Sequence, residues 1–551
     1  MRANHILTIA ILVTAFTLNA KAQTVNNSGS LVEPEDKGTK YAPIDYGPGP
    51  GASPDTTLPA AEALTAAEAA APAAGPAART NGVFGASVTW SLVPIHTVLL
   101  PDGRVLSYGI RTAGQLNYDV WDPRQGTTAA AHMVLPNTTG TSTFCSGQSI
   151  IPSTGEVLMT GGTTVLNGIG NTGVNQTTIF DPQSNLMRPA GSMVYKRWYG
   201  TIVPLANGDK LVLGGREDTT VPNPQPADWN YATTPEVFTL GGTWRVLPGA
   251  RSDAAFGGPP GVNWSYPRGY QMPNDPTKVF VLAHSGAMFY VTPAGAGTIT
   301  RLAQTTLPSD NRLPTAMFAP GKLISVRSNR KVVVVGLNGP QPAITTTADL
   351  SQLRYFSNAT ILPNGKVLVT GGSAVPNQLV GVASAVEIWD PATGQWTLGA
   401  KAAKPRLYHS TALLLPDGSV LTAGGGLPGP VTNMNGEIYF PPYLYDATGR
   451  PAVRPQLLAA PNSLVLQNDK QFGATVGNGD QISRVTLLHT GSVTHANNVE
   501  QRFQDLAFTQ AGQNLQITSP ANPTYTIPGY YLLFVINNNG VPSVAKIIKL
   551  K

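Results

Sequence analysis

The most regular feature of the sequence is a short pattern of apolar and polar positions that returns along the chain. An apolar run is followed by a turn that contains Pro, Asp, Asn or Gly, then by a second apolar run, and often by Gly-Gly. Two apolar runs joined by such a turn predict a β-hairpin. The five clearest copies occupy residues 97–108, 149–162, 201–215, 359–372 and 411–425.

The spacing of these copies predicts how many repeats the chain contains. Their turn glycines are Gly103, Gly155, Gly208, Gly365 and Gly418. The steps between them are 52, 53, 157 and 53 residues, so the long step equals about three short ones. Two weaker copies should therefore lie in the gap, and residues 278–290 and 316–326 are the candidates, which makes seven. A four-stranded unit that repeats about every 50 residues is typical of the blade of a kelch-type β-propeller.

The first residues are typical of an export signal. Arg2 and His5 precede an apolar stretch at 6–18, and Ala20 and Ala22 are small residues at the positions that a signal peptidase recognises. We predict cleavage after Ala22 and a mature protein that is secreted or periplasmic.

Four regions follow from these patterns. The stretch after the signal is rich in Pro, Ala and Gly and lacks apolar periodicity, as flexible spacers do. The repeats come next, and the remainder contains short apolar strands typical of an immunoglobulin-like β-sandwich. The predicted boundaries are 1–22 for the signal peptide, 23–81 for the spacer, 82–448 for the seven-bladed kelch-like propeller and 449–551 for the C-terminal immunoglobulin-like domain.

Composition and charge narrow the fold class and the partners. The 551 residues include 58 Gly and 48 Pro, which disfavour long helices, so the fold is predicted to be all-β. The net charge is +6, but no basic run exceeds two residues, which disfavours a nucleic-acid partner. No run after the signal approaches the roughly 18 apolar residues that a membrane span needs. We expect a monomer.

The register of the repeat brings chemically reactive residues together. In a propeller the first strand of each blade lines the central channel, so residues just ahead of these strands meet at one mouth of it. Counting back nine residues from the turn glycine gives Tyr199 in one blade and His409, preceded by Tyr408, in another, and counting back ten gives Cys145. Because Cys145 is the only cysteine, it cannot form a disulfide within the chain.

These side chains suit a redox metal better than acid–base catalysis. Free tyrosine has a pKa near 10 and is a poor general acid or base at neutral pH. Phenolate and imidazole suit copper(II), and an adjacent thiol can be oxidised onto a tyrosine ring. A hydrolytic Cys–His pair is an alternative, but nothing obvious orients the histidine. The single thiol argues against a structural zinc site.

Four segments around these residues resemble the active-site segments of a known family. They are Thr143-Phe144-Cys145, Lys196-Arg197-Trp198-Tyr199, Pro405-Arg406-Leu407-Tyr408-His409 and Gly491-Ser492-Val493-Thr494-His495, the last followed by Gln501-Arg502. The family is the galactose oxidase and glyoxal oxidase group of copper radical oxidases. The Arg-Trp-Tyr form and the absence of an N-terminal carbohydrate-binding domain are more similar to the glyoxal oxidase branch.

The resemblance implies a copper site and a protein-derived radical. Cys145 would be joined to Tyr199 by a thioether, and this Cys-Tyr cofactor would hold the one-electron oxidised radical. Copper(II) would be bound by Tyr199, Tyr408, His409 and His495, and Tyr408 would also accept the proton of the substrate hydroxyl. The implied catalytic residues are Cys145, Tyr199 and Tyr408. The implied reaction oxidises a small aldehyde or primary alcohol with O2 and yields hydrogen peroxide.

One residue departs from the family pattern and keeps another function open. In galactose oxidase a tryptophan two residues beyond the corresponding Gly-Gly stacks over the thioether, and here that position is Glu217. Propellers also serve as binding modules, so the alternative is a non-catalytic kelch propeller that binds glycan or protein at the cell envelope. His96 lies seven residues before its turn glycine, outside the register of the site, and we interpret it as a strand-end histidine with a hydrogen-bond partner.

Overall fold

A computed structural model of the chain describes residues 71–110, 116–166, 168–304, 310–465, 470–520, 522 and 524–551. The predicted signal peptide and residues 23–70 of the predicted spacer lie outside the described residues. The end of the spacer region contacts the rest of the chain, because the Ala74 N–H donates to the Gly449 carbonyl at 2.9 Å and Ala78 is buried.

Seven antiparallel sheets, numbered here 1 to 7 in chain order, form most of the described structure. Sheet 1 contains His96–Leu99, Val105–Tyr108, Asn117–Trp121 and His132–Pro136. Sheet 2 contains Gly147–Ile150, Val157–Thr160, Thr177–Asp181 and Leu186–Ala190. Sheet 3 contains Thr201–Pro204, Lys210–Leu213, Glu236–Phe238 and Trp244–Val246. Sheet 4 contains Arg268–Gln271, Val279–Leu282, Ala287–Thr292 and Thr298–Gln304.

The last three of these sheets continue the arrangement and join the two ends of the repeat region. Sheet 5 contains Thr315–Ala319, Lys322–Val326, Val332–Gly336 and Ala343–Thr346. Sheet 6 contains Asn358–Ile361, Val367–Thr370, Ala385–Asp390 and Gln395–Lys401. Sheet 7 contains Ser410–Leu414, Val420–Gly424 and Asn435–Phe440, and its outer strands are Val83–Phe84 and Val88–Thr89. The start of the described chain therefore pairs with the last sheet of the repeat.

The remaining elements of this region are short. A hairpin of Thr163–Leu166 and Ile169–Gly173 is inserted in sheet 2. Among the described residues the α-helices are Ala78–Asn81 and Asp253–Phe256, and the 3₁₀ turns are Pro123–Gln125, Ala129–Ala131, Pro226–Asp228, Pro248–Ala250, Ser328–Arg330 and Pro442–Leu444. In the part of the chain that the structure describes, no helix has the length and apolar character needed to cross a membrane.

The predicted fold class is confirmed, with one repeat wrongly assigned. Six of the predicted hairpins are the first and second strands of their sheets. In sheet 4 the assignment is wrong by one strand, because residues 278–290 contain the second and third strands and the first is Arg268–Gln271. That first strand reads Arg-Gly-Tyr-Gln, so it lacks the apolar run by which the other copies are recognised.

The C-terminal region is a sandwich of two sheets. One contains Leu457–Ala459, Gln471–Val476, Asn514–Thr518 and Phe508–Ala511, and the other Ser463–Leu464, Lys546–Leu550, Gly529–Asn537, Ile482–His489 and Phe503–Leu506. Alternate residues of both sheets, including Phe472, Val485 and Leu533, form its buried core. Between two strands of the second sheet the chain leaves the sandwich, and Ser492–Thr494 pairs with His96–Leu99 of sheet 1.

Candidate metal centre

In five of the sheets a residue one or two positions ahead of the first strand, here called the innermost strand, has a positive φ, and in sheet 4 that residue is Tyr266, at 43°. Cys145, Tyr199, Phe356 and His409 have φ values of 57°, 69°, 65° and 67°. A positive φ costs a residue with a side chain about 1–3 kcal/mol, and such strain concentrates at functional sites. The count of nine residues back from a turn glycine, which selects Tyr199 and His409, also selects Phe356 from Gly365.

Buried ion pairs anchor the segments that carry these positions. In three segments an arginine pairs with a glutamate on the third strand of the sheet and donates to a carbonyl of the Gly-Gly pair. The pairs are Arg197–Glu236, Arg354–Glu387 and Arg406–Glu437, at 2.8, 2.8 and 3.0 Å. The glycines permit this approach, since Gly215 has a φ of 106° and a Cβ there would lie 2.9 Å from the Arg197 Cβ. Each ion pair therefore fixes the position of the loop that precedes an innermost strand relative to the third strand of the same sheet.

All five site residues predicted from the sequence meet in one buried cluster. Cys145 Sγ lies 3.5 Å from His495 Nε2 and 3.8 Å from His409 Nε2. The hydroxyls of Tyr199 and Tyr408 hydrogen-bond to each other. The Tyr408 ring stacks on His409 with 3.7 Å between centroids, and Tyr199 meets His495 edge-on at 4.7 Å. None of the five is more than 5% exposed, so water has little access to the cluster.

Hydrogen bonds determine which nitrogen of each site histidine carries the proton and which keeps a lone pair for a metal. His409 Nδ1 lies 3.0 and 2.8 Å from the Gly426 and Leu427 carbonyls, which only accept, so Nδ1 carries the proton. The Thr494 hydroxyl donates to the Ile95 carbonyl and lies 2.5 Å from His495 Nδ1, from which it accepts. Both Nε2 atoms are therefore free to bind a metal, with their rings oriented through Nδ1 as in known metal sites.

Burial keeps both imidazoles neutral. It lowers the pKa of His409 to about 3 and that of His495 well below its usual value. A metal ion therefore does not have to displace a proton from either Nε2 at neutral pH.

Three aromatic residues that the sequence analysis did not assign to the site contact it directly. Trp198 meets Tyr199 at 4.0 Å, Tyr266 meets His495 at 4.7 Å, and Phe356 meets Tyr408 at 4.9 Å between ring centroids. A signal for Phe356 exists, because Arg354-Tyr355-Phe356 repeats the arginine–x–aromatic pattern of residues 197–199 and 406–408. Tyr266 lacks such a signal because it precedes the irregular first strand of sheet 4.

The position expected to carry a stacking tryptophan is filled differently. Glu217 is half-buried, and burial raises the pKa of its carboxyl. The aromatic contact with Tyr199 comes instead from the preceding residue, Trp198. The Arg216 guanidinium lies 4.2 Å from the Trp198 ring centroid and 3.7 Å from that of Trp229, which holds the indole between a cation and the Tyr199 ring.

The donor set at this cluster fits a copper ion. Two imidazole nitrogens with free lone pairs and two phenol oxygens are the nitrogen and oxygen ligands that suit copper(II). The ligand atoms of Cys145, His409 and His495 all lie within 4.8 Å of one another. Among the described residues, these three form the one group of three or more His, Cys, Asp or Glu side chains arranged to hold a metal.

Comparison with known proteins supports the family resemblance over most of the chain. The galactose oxidase-like Early set domain family matches residues 454–550. A galactose oxidase from Gibberella zeae is 26% identical over 504 residues, which cover 85% of this chain and 70% of that protein. The aldehyde oxidase GLOX1 from Arabidopsis thaliana is 29% identical over 241 residues, 39% of this chain and 38% of that one.

A solved structure shows the same fold. It is a fungal alcohol oxidase in complex with copper, with a TM-score of 0.74, 23% sequence identity, and coverage of 85% of this chain and 99% of that one. The similarity to the galactose oxidase and glyoxal oxidase group predicted from the four segments is thereby confirmed.

Proposed function

From this similarity to the galactose oxidase and glyoxal oxidase group, we propose that the chain is a copper radical oxidase. It oxidises small aldehydes or primary alcohols with O2 and releases hydrogen peroxide. The observation that carries the proposal is the meeting of one thiol, two phenols and two free imidazole nitrogens in a single buried cluster. A propeller that only binds glycan or protein would not require this combination.

The proposed ligands divide between the repeat and the C-terminal domain. Tyr199, Tyr408 and His409 precede innermost strands, and His495 follows the strand that pairs with sheet 1. Copper(II) held by these four would supply one-electron redox chemistry. The second one-electron site would be Tyr199, joined to Cys145 by a thioether that would delocalise and stabilise its radical.

The phenols have separate tasks in the proposed reaction. Tyr408 would accept the proton of the substrate hydroxyl, and its hydrogen bond with the Tyr199 hydroxyl supports a role beside the phenol that would take a hydrogen atom from the substrate carbon. Trp198 and Tyr266 pack against Tyr199, at 4.0 and 4.9 Å between ring centroids, and Phe356 packs against Tyr408, so these rings help to exclude water from the pair. Exclusion of water lengthens the life of a radical because fewer side reactions reach it.

A peroxide assay across substrate classes tests the proposed function. Copper-loaded mature protein is incubated in air with small aldehydes, primary alcohols and sugars, and hydrogen peroxide is measured. We expect peroxide with at least one aldehyde or primary alcohol, and none from the same protein freed of copper with a chelator. A copper-loaded protein that is inactive with all three classes would favour the binding module.

Removal of His495 should weaken copper binding although that residue belongs to the C-terminal domain. We expect His495→Ala to raise the Kd for copper(II) about 100-fold, because one of two neutral imidazole ligands is lost. Titration calorimetry or competition with a chelator measures the change. The matched control is His489→Gln, a buried histidine of the same domain whose Nδ1 lies 2.9 Å from the Thr490 carbonyl and whose ring contacts Tyr531. Equal affinity in His495→Ala and the control would remove His495 from the proposed site.

A further inference from the structure

We propose that His96 is the positioning residue that holds Cys145 in place for formation of its thioether, an inference that rests on the proposed function. The Cys145 N–H donates to His96 Nε2 at 3.1 Å, and both residues are completely buried. His96 lies in sheet 1 and Cys145 ahead of sheet 2, so this bond joins two neighbouring sheets. The role goes beyond that of a strand-end histidine with a hydrogen-bond partner.

The His96 ring is itself held rigidly. It stacks on Tyr108 with 4.3 Å between centroids and 5° between planes. The Tyr108 hydroxyl hydrogen-bonds with Ser146 Oγ at 3.1 Å, directly beside Cys145 in sequence. Because the Cys145 N–H donates to Nε2, that nitrogen carries the lone pair of the ring, and a ring proton lies on Nδ1.

A series of backbone hydrogen bonds, here called the belt, begins at Cys145 and crosses the site. The Cys145 carbonyl accepts from the Tyr199 N–H at 2.9 Å, and the Tyr199 carbonyl accepts from the Tyr266 N–H at 2.8 Å. Together with the His96 bond, the belt connects the first strand of sheet 1 to the loops ahead of sheets 2, 3 and 4. The two residues of the proposed thioether are thus fixed against each other by a backbone bond, and His96 fixes the free end of the belt.

The bond from His96 matters because the backbone of Cys145 is strained. Its φ of 57° lies in the left-handed region, where residues with a Cβ are uncommon. A buried amide without an acceptor would favour rotation of this peptide toward another partner. The thiol would then leave its position 3.5 Å from His495 Nε2, inside the core cluster that it shares with Tyr199.

The reaction that depends on this geometry balances with dioxygen as the oxidant. The S–H bond of Cys145 and one ring C–H bond of Tyr199 break, and a C–S bond forms between the two side chains. The two electrons and two protons released reduce O2 to hydrogen peroxide, with copper as the catalyst. The rate of this step depends on how often the sulfur is held against the ring, since an intramolecular reaction gains most from correct orientation.

Two amide substitutions at His96 separate positioning from burial. In His96→Gln the side-chain oxygen reaches about the place of Nε2, whereas in His96→Asn the same amide ends one methylene shorter, near Nδ1. Copper(II) is added in air to each full-length mature variant prepared without copper, and the fraction of protein lighter by about two mass units is followed over time. We expect His96→Asn to slow cross-linking at least about tenfold, as loss of an outer-shell partner does. His96→Gln should stay within about threefold of the wild type.

The outcomes distinguish the inference from the function on which it rests. Wild-type rates in both variants, or equal slowing in both, would overturn the role of His96 as an acceptor while leaving the oxidase intact. Wild-type protein that keeps its original mass would overturn the proposed function, and the inference with it. Thermal melting of both variants checks the fold, and if His96→Asn is unfolded, His96→Phe, which keeps the stack on Tyr108 without an acceptor, takes its place.

Discussion

Exposure to copper and air should make the protein lighter by about two mass units and remove its single titratable thiol. The expected cause is a thioether between Cys145 and Tyr199, whose backbones are joined by a bond of 2.9 Å from the Tyr199 N–H to the Cys145 carbonyl. A tryptic digest should join the peptides that contain these two residues, and reductants should not separate them. Intact-mass spectrometry and thiol titration measure both effects.

The Cys145→Ser variant should bind copper but lose most peroxide production. We expect a fall of about 100-fold, because an unmodified tyrosine is harder to oxidise and its radical is less delocalised.

The copper-free wild type is the control for the mass change. An unchanged mass together with strong thiolate-to-copper absorption would instead indicate a metal held by Cys145, His409 and His495, the three groups whose ligand atoms already lie within 4.8 Å. That result would refute the radical mechanism.

Replacement of one buried arginine should lower the free energy of unfolding far more than replacement of an exposed arginine. Arg197 and Glu236 are both completely buried, and Glu236 also accepts from the Val194 and Tyr195 N–H groups. We expect Arg197→Met to lower the free energy of unfolding by about 3–5 kcal/mol, because it leaves an unpaired charge in the interior. Urea denaturation of the copper-free protein measures the difference.

A double variant and a surface variant test the cause of this loss. Arg197→Met combined with Glu236→Gln removes both charges and keeps an amide oxygen for the Val194 N–H, the donor of the shorter of the two backbone bonds, so it should lose less than Arg197→Met alone. Arg188→Met breaks an ion pair with Glu156 in which the arginine side chain is 52% exposed, and should cost less than about 1 kcal/mol. If the double variant is less stable than the single one, the loss comes from packing and hydrogen bonds and not from the unpaired charge.

The parts of the fold that sequence analysis recovered are those in which a local pattern repeats. Each predicted hairpin has two apolar runs around a turn glycine with positive φ, such as Gly208 and Gly418, and both features are visible in the sequence. The repeat also transfers site positions from one sheet to another, which is why Tyr199 and His409 could be placed together. In sheet 4 the first strand is polar, and a polar strand is stabilised by partners that lie far away in the chain: Arg268 donates to the Asn311 and Leu313 carbonyls.

The residues that escaped prediction act through contacts across the sheets. His96 belongs to a strand start outside the nine-residue register, and its role depends on an amide 49 residues later in the chain. Trp198 lies in one of the four motifs, but its position between Arg216 and Tyr199 depends on the path of the loop after Gly215. A periodic sequence pattern identifies residues at equivalent positions of the repeat. It does not show which side chains from non-equivalent positions contact each other.

The pairing of Ser492–Thr494 with sheet 1 has a consequence for the timing of assembly. During synthesis, every strand of the seven sheets emerges before His495, so Tyr199, Tyr408 and His409 are all present while the last proposed ligand is still missing. A chain that ends before this segment contains the strands listed above for the seven sheets but lacks His495, one of the four proposed copper ligands. Under the proposed function, hydrogen peroxide production therefore cannot begin until the C-terminal domain has been made and His495 has reached the cluster.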